Sequence, residues 1–143
     1  MSSIEIILPV SFIFSPKYST MLSNNKLVAF APTTNPAKAK MFYKDILGLT
    51  LLSEDHFALV FDANGTILRV TPVREFQPHP FTVLGWETTD IENSIRSLNA
   101  KGIACEKYGF FEQDDLGIWT APGGTKVAWF KDPDGNTLSL SGS

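Results

Sequence analysis

Apolar and polar positions follow two periods along the chain, one typical of a helix and one typical of strands. After Asn35, a good helix cap, apolar residues recur at helical spacing until Gly48, which predicts one buried helix face. Short apolar runs bounded by turn residues predict one strand before this helix and three after it. The predicted strands are Lys26–Ala31, Leu49–Ser53, Phe57–Asp62 and Thr66–Thr71.

The same order of elements then repeats. A strand over Phe81–Thr88 leads into a capping box with Thr89 as the cap and Glu92 reaching back, so a second helix is predicted up to Gly102. The strands predicted after it are Ala104–Tyr108, Lys126–Phe130 and Thr137–Ser141. The chain therefore uses one βαβββ unit twice. We expect an α+β fold in which the two units form a curved mixed sheet around a central cavity.

Length and composition fit one globular domain. Hydrophobic residues make up 43% and charged residues 19% of the 143 residues, which excludes a disordered chain. The net charge of −3 and the absence of Lys or Arg runs argue against a nucleic-acid partner. The single cysteine, Cys105, cannot form an internal disulfide, which favours a reducing, cytoplasmic compartment.

We expect the domain to span residues 25–143, with module one over 26–72 and module two over 81–141. Residues 1–24 are predicted to be a leader, either an extra strand or a disordered appendage. No basic residue precedes its apolar runs, so it does not resemble a signal peptide. Neither run approaches the roughly 20 apolar residues of a membrane span, so no membrane partner is expected.

The second module is longer than the first. Its extra residues fall in Gly109–Gly124, which is rich in acids and aromatics. This segment is interpreted as a lid or binding loop, or as an extra hairpin over Gly117–Thr120 that returns through Pro122–Gly124; both interpretations can hold.

Two motifs resemble those of a known superfamily. Phe42–Leu49 (FYKDILGL) resembles the first-helix signature of the vicinal oxygen chelate superfamily, and Lys131–Asn136 (KDPDGN) its final-hairpin signature. This is the superfamily of the glyoxalases, bleomycin-resistance proteins and extradiol dioxygenases. Its enzymes hold a divalent metal through four inward-facing His or Glu side chains. The resemblance places those positions at Val28 (or Leu27), Arg69, Val83 and Ser139.

None of these four residues is a good metal ligand, so no metal cofactor is expected. The two histidines, His56 and His79, do not form a ligand pair. If the four positions face inward, strand alternation places Ile67, Gly85 and Glu87 inward as well. Such an interior is apolar with a few polar groups, as is usual in a small-molecule pocket.

Each candidate side chain has a functional and a structural interpretation. Arg69 binds a ligand carboxylate or phosphate, or it pairs with Glu87, Asp114 or Asp115. Glu87 acts as a general base if burial raises its pKa, or it is that partner or an exposed side chain. Trp119 stacks on a flat ligand, or it packs against neighbouring side chains of the protein.

Other aromatic residues have structural interpretations. Phe110 and Phe111 close the cavity mouth or seal a dimer, while Trp86 and Trp129 are interpreted as core.

Three functions remain open. The first is a metal-free protein that binds a small anionic or aromatic ligand. Its candidate ligand-binding residues are Arg69, Glu87, Trp119, Ser139, Phe111 and Asp114. The second is a lyase or dioxygenase-type enzyme with an atypical metal site or with Glu87 as the base. The metal site would draw on His56, Glu87, Asp114 or Asp115.

The third function is a partner-binding module whose interior is filled by Phe111, Trp119 and Ile67. The resemblance also implies a homodimer, because relatives commonly pair their modules within or between chains.

Overall fold

The structure is a computed structural model that describes residues 21–143. Most of the predicted leader, residues 1–20, lies outside the described residues, while residues 21–24 form an exposed turn. The first module contains β1 (Val28–Thr33), α1 (Pro36–Lys40) with a π-helical continuation (Met41–Ile46), β2 (Thr50–Glu54), β3 (Leu59–Ala63) and β4 (Thr66–Pro72). The second contains β5 (Thr82–Thr88), α2 (Ile91–Ala100), β6 (Trp119–Thr120), β7 (Lys126–Lys131) and β8 (Thr137–Gly142).

Each module forms one four-stranded mixed sheet with the same topology. The strand order is β1-β4-β3-β2 in the first sheet and β5-β8-β7-β6 in the second. In both sheets the first and last strands of the module pair in parallel, because the helix crosses over between them, and the other pairs are antiparallel. The predicted repetition of a βαβββ unit is confirmed.

The first helix begins and ends as its sequence predicts. The side chain of Asn35 accepts a hydrogen bond from the backbone N–H of Lys38 at 3.2 Å. The helix then widens into a π-helical turn, in which the N–H of Leu47 donates to the carbonyl of Phe42 at 2.9 Å. It stops at Gly48, whose φ of +78° favours glycine.

The cap of α2 is Asp90 and not Thr89, so the predicted capping box is wrong. Asp90 Oδ1 accepts a hydrogen bond from the N–H of Asn93 at 3.1 Å. The hydroxyl of Thr88 in turn accepts from the N–H of Asp90 at 3.3 Å. A carboxylate satisfies the free N–H groups of a helix start and interacts favourably with its dipole, so Asp90 takes the position.

Ala104–Tyr108 is not a strand, which corrects a second prediction. Only the N–H of Glu106 reaches the neighbouring strand, donating to the carbonyl of Trp129 at 2.7 Å. The fourth strand of the second sheet is instead β6 from the inserted segment, with Trp119 opposite Val127. The interpretation of part of the insertion as an extra hairpin is therefore confirmed.

The two modules share one core, with α1 and its continuation packed between the core faces of both sheets. The ring of Phe42 lies 6.5 Å from that of Phe130 in β7. The hydroxyl of Tyr43 donates to Asp132 Oδ2 at 2.7 Å in the final hairpin. Both sheets turn one face to this shared core. Their other faces, called here the first and second outer faces, are consequently directed away from each other.

Within residues 21–143, no helix combines the length and the apolar character needed to cross a lipid bilayer.

Candidate ligand-binding faces

The first outer face carries Arg69 among apolar neighbours. In register, Arg69 of β4 lies between Phe30 of β1 and Val60 of β3. The next row pairs Val28 with Ile67. Phe30 is 61% exposed and Val28 is 41% exposed, although both are large and apolar. This face therefore combines one cation with an apolar surface that nothing in the described part of the chain covers.

Arg69 is half-buried and makes no ion pair or hydrogen bond within the described residues. The ion pair that these residues do contain joins Lys40 and Glu54 at 2.6 Å. The pKa of Asp55 is lowered mainly by hydrogen bonds from the N–H groups of Phe57 and Ala58, and to a smaller extent by Arg69. Among the described residues Arg69 forms no ion pair with Glu87, Asp114 or Asp115, so that alternative is not found.

The second outer face is built around Ser139. Ser139 of β8 lies between Gly85 of β5 and Trp129 of β7. A Cβ atom at Gly85 would lie 2.6 Å from Ser139 Oγ, so the serine hydroxyl extends over the glycine. The hydroxyl has no hydrogen-bond partner among the described residues. It is thus available to a ligand at the edge of the Trp129 indole.

Val83 does not share the alternation of Gly85 and Glu87. Thr82 lies opposite Thr137 and Leu84 opposite Leu138, so β5 contains a bulge at this point. The side chain of Val83 packs against the core. The sequence predicted that Val83 faces the same side of the sheet as Gly85, toward the expected cavity. This prediction is wrong, because the bulge shifts the two-residue period and no residue pattern in the sequence marks it.

Glu87 is exposed near the end of β5, opposite Ser141. It borders a groove of about 450 Å³ that Trp86, Ser94 and Lys101 also line, between the two helical segments. Glu87 would act as a general base only if burial raised its pKa, and the described chain leaves its side chain exposed.

Five rings form an aromatic cluster beside Ser139: Tyr108, Phe110, Phe111, Trp119 and Trp129. Phe111 is parallel to Trp129, at 2° between planes and 5.3 Å between ring centroids, and lies 4.8 Å from Trp119. The interpretation of Trp129 as core is therefore wrong. Its neighbours Ala128 and Phe130 are both fully buried, and this alternation is the sequence signal that places Trp129 on the opposite face.

Asp114 stabilises the inserted loop. Asp114 Oδ1 accepts hydrogen bonds from the N–H groups of Leu116 and Ile118, both at 2.9 Å. This carboxylate oxygen is thus engaged in a turn. The candidate role of Asp114 in ligand binding has no support in the geometry of one chain.

The four residues to which the resemblance assigned the superfamily's metal-ligand positions do not fit a divalent metal. Val28 and Val83 carry no donor atom, Ser139 offers a neutral hydroxyl, and Arg69 brings a permanent positive charge. Residues 21–143 bring together no group of three or more His, Cys, Asp or Glu side chains. An atypical metal site drawn from His56, Glu87, Asp114 and Asp115 is thus not assembled in the described chain.

A family model described as the Glyoxalase/Bleomycin resistance protein/Dioxygenase superfamily matches residues 27–140. The chain belongs to this superfamily. The match includes both motifs on which the resemblance rested and both outer faces, so the recognition made from the sequence is confirmed. No functionally curated protein matches the sequence significantly.

Solved structures of this superfamily share the fold. A glyoxalase family protein from Enterococcus faecalis has 26% identity and a TM-score of 0.62, with 85% of this chain and 99% of that chain covered. A superfamily member from Sphaerobacter thermophilus has 19% identity and a TM-score of 0.65, with 86% and 100% covered. A lactoylglutathione lyase from Agrobacterium tumefaciens has 15% identity and a TM-score of 0.62, with 84% and 94% covered.

The predicted ligand-binding residues divide between the two outer faces. Arg69 lies on the first, whereas Ser139, Trp119 and Phe111 lie on the second, with Glu87 at its end. Within the described residues Arg69 and Trp119 make no ring or ionic contact with each other. The structure thus brings the aromatic and hydroxyl groups together and leaves the cation on a separate face.

Proposed function

We propose that this superfamily member binds a small molecule with an anionic and an aromatic part, without a metal ion. The anion contacts Arg69 on the first outer face of one copy, and the aromatic part contacts the second outer face of another copy in a homodimer. The observation that carries the proposal is that Arg69 has no ion-pair partner in the described chain. The resemblance assigns its position to a metal ligand of the superfamily's enzymes.

The chemistry of Arg69 favours an anion. Its planar guanidinium can donate two parallel hydrogen bonds to a carboxylate or phosphate. The flanking Phe30 and Val60 place apolar surface beside that contact, and a charge-assisted hydrogen bond is stronger where the surroundings are apolar.

The directions of the two outer faces support a dimer. Each sheet has an outer face that the described chain leaves uncovered, and the two outer faces point apart. A second copy is the simplest way to place a first outer face opposite a second one. The exposed Leu27, Val28, Phe30 and Leu52 supply apolar surface for such a contact.

One observation favours a second candidate function, a partner-binding module with a filled interior. Phe111 already packs on Trp119 and Trp129, as that hypothesis requires. Ile67, the third residue named for the filling, lies on the other outer face. The packed rings therefore cover only the second outer face and do not fill a shared interior.

Thermal unfolding with added carboxylates tests the proposal. We expect benzoate or 2-naphthoate to raise the midpoint of unfolding, since a ligand at 100 times its Kd stabilises by about 2.7 kcal/mol. Arg69→Gln should weaken that affinity at least about tenfold, because hydrogen bonds to charged groups contribute about 1.5–3 kcal/mol. Arg74→Gln, which removes an exposed arginine from the linker, should leave the affinity unchanged.

Elemental analysis of the purified protein tests the metal-free part. A stoichiometric metal, or a large rise in the unfolding midpoint with zinc, nickel, manganese or iron(II), would overturn it. Equal affinities of the wild type and Arg69→Gln for carboxylates would overturn the assignment of Arg69.

A further inference from the structure

The ring of Phe111 lies flat on the second outer face, across two indoles. Its plane is 2° from that of Trp129 and 32° from that of Trp119, with centroid distances of 5.3 and 4.8 Å. The two indole centroids are 6.3 Å apart, so one ring contacts both. This is the stacking arrangement that a planar aromatic molecule would adopt on the same floor.

The loop that carries Phe111 is held firmly at its stem. Gln113 Nε2 donates to the carbonyls of Glu106 and Gly117, both at 2.8 Å. Gln113 Oε1 accepts from the N–H of Tyr108 at 2.6 Å. Together with the two hydrogen bonds that Asp114 accepts, five hydrogen bonds hold the side chains of Gln113 and Asp114, which directly follow the loop tip.

The tip itself, residues 109–112, is held differently. Within the described residues its single hydrogen bond joins the N–H of Phe111 to the carbonyl of Tyr108 at 3.2 Å. Its other contacts are between rings, and Phe110 is 79% exposed. The tip can therefore leave the indole floor while the hydrogen bonds of the stem remain intact.

A polar group adjoins the indole floor beside Trp129. Ser139 is the in-register neighbour of Trp129, and its hydroxyl has no partner in the described part of the chain. Phe111 has no atom that can use this hydroxyl. An aromatic molecule with a polar substituent on its edge would gain both the stack and a hydrogen bond.

We propose that Phe111 occupies the position of the ligand's ring, and that a planar aromatic ligand with a polar edge substituent displaces it. The inference rests on the proposed function and assigns the aromatic part of the ligand to Trp119, Trp129 and Ser139. The loop tip is the moving part. Since the floor must be vacated before a ligand can stack on it, the apparent affinity is reduced by the fraction of molecules that are closed.

Calorimetric titration with 2-naphthoate and with neutral 2-naphthol tests the displacement. Phe111→Ala should bind both probes about tenfold more tightly than the wild type, because the competing aromatic stack is gone. Phe81→Ala is the control, since Phe81 is an exposed phenylalanine whose ring stacks on His79 and lies outside the aromatic cluster, and we expect its affinity to stay within about twofold. Phe111→Leu, which keeps an apolar side chain, replaces the alanine variant if the latter does not fold.

Two results distinguish whether the Phe111 ring competes with the ligand or forms part of its binding site. Adding Trp119→Leu to Phe111→Ala should abolish the gain, because half of the floor is then removed. Equal or weaker binding by both Phe111 variants would overturn the inference, as would failure of every variant to bind either probe. In those cases, benzoate binding that still depends on Arg69 would leave the proposed function standing.

Discussion

At the scale of single residues, the outer faces are defined by side chains whose properties contrast with those of their neighbours. Arg69 is a cation between Phe30 and Val60, and Ser139 is a hydroxyl between a glycine and an indole. Each polar group lacks a partner within the described chain, although both lie in regular strands where neighbours are close. Such groups are costly to bury unless a ligand or a partner satisfies them, which is why they dominate the proposed site.

Cys105 is a residue for which the environment predicts low reactivity. Burial raises the pKa of its thiol from 9.0 to about 11, with smaller contributions from Glu106 and Asp114. At pH 8 the thiolate, which is the reactive form, should be about a hundredfold scarcer than in the unfolded chain. We expect iodoacetamide to label the folded protein correspondingly slowly, with the rate rising toward pH 11.

Mass spectrometry over time measures this labelling, with the urea-unfolded protein as the control. Equal rates in the folded and unfolded protein would show that Cys105 is accessible and that its pKa is not raised.

At the scale of elements, local hydrogen bonds decided the cases in which pattern and structure differ. Gln113 supplies with its side chain the bonds that a neighbouring strand would give, so Ala104–Tyr108 stays irregular. The edge strand comes from the insertion. Just before it, Gly117 has a φ of +91° and lies close to the side chain of Cys105. A Cβ there would lie 2.8 Å from Cys105 Cβ. The hairpin therefore depends on glycine at this position.

The cap of α2 gives a prediction at this scale. Asp90→Ala should lower the free energy of unfolding by about 1 kcal/mol, because the N–H of Asn93 loses its acceptor. Thr89→Ala removes an exposed side chain without a capping bond and should change it by less than about 0.5 kcal/mol. Urea denaturation of both variants provides the measurement, and a larger cost at Thr89 would restore the capping box expected from the sequence.

At the scale of the whole molecule, the shared core determines where the two outer faces point. Contacts such as Phe42 with Phe130 and Tyr43 with Asp132 join the modules through their helical side. Burial and Asp132 raise the pKa of Tyr43, so its hydroxyl stays protonated and keeps donating at any ordinary pH. The modules are thus fixed with their open faces outward, which is the basis for the proposed homodimer.

The proposed dimer predicts the effect of a charge on the first outer face. Phe30→Asp should dissociate the homodimer into monomers, because it places a carboxylate in the apolar contact. Met41→Asp is a matched control, since Met41 is similarly exposed, at 59% against 61%, but lies in the helical segment. Sedimentation velocity at the same concentration gives the result. A wild type that is already monomeric, or a Phe30→Asp variant that stays dimeric, would contradict the proposed interface.

The sequence by itself determined the repeated βαβββ unit, the superfamily and most strand positions. It did so because helical and strand periods, caps and glycine stops are local properties that adjacent residues encode. The resemblance to the superfamily also assigned two of its metal-ligand positions to Arg69 and Ser139, since counting from the two motifs needs no coordinates.

Only the tertiary structure decided which faces meet. The bulge at Val83, the placement of Trp129 beside Ser139 and the stacking of Phe111 depend on registers between strands distant in sequence. Whether two modules pair through their helical sides or through their outer faces depends on the total buried surface of each arrangement. That quantity is a property of the packed molecule and not of any segment, so no local pattern in the sequence records it.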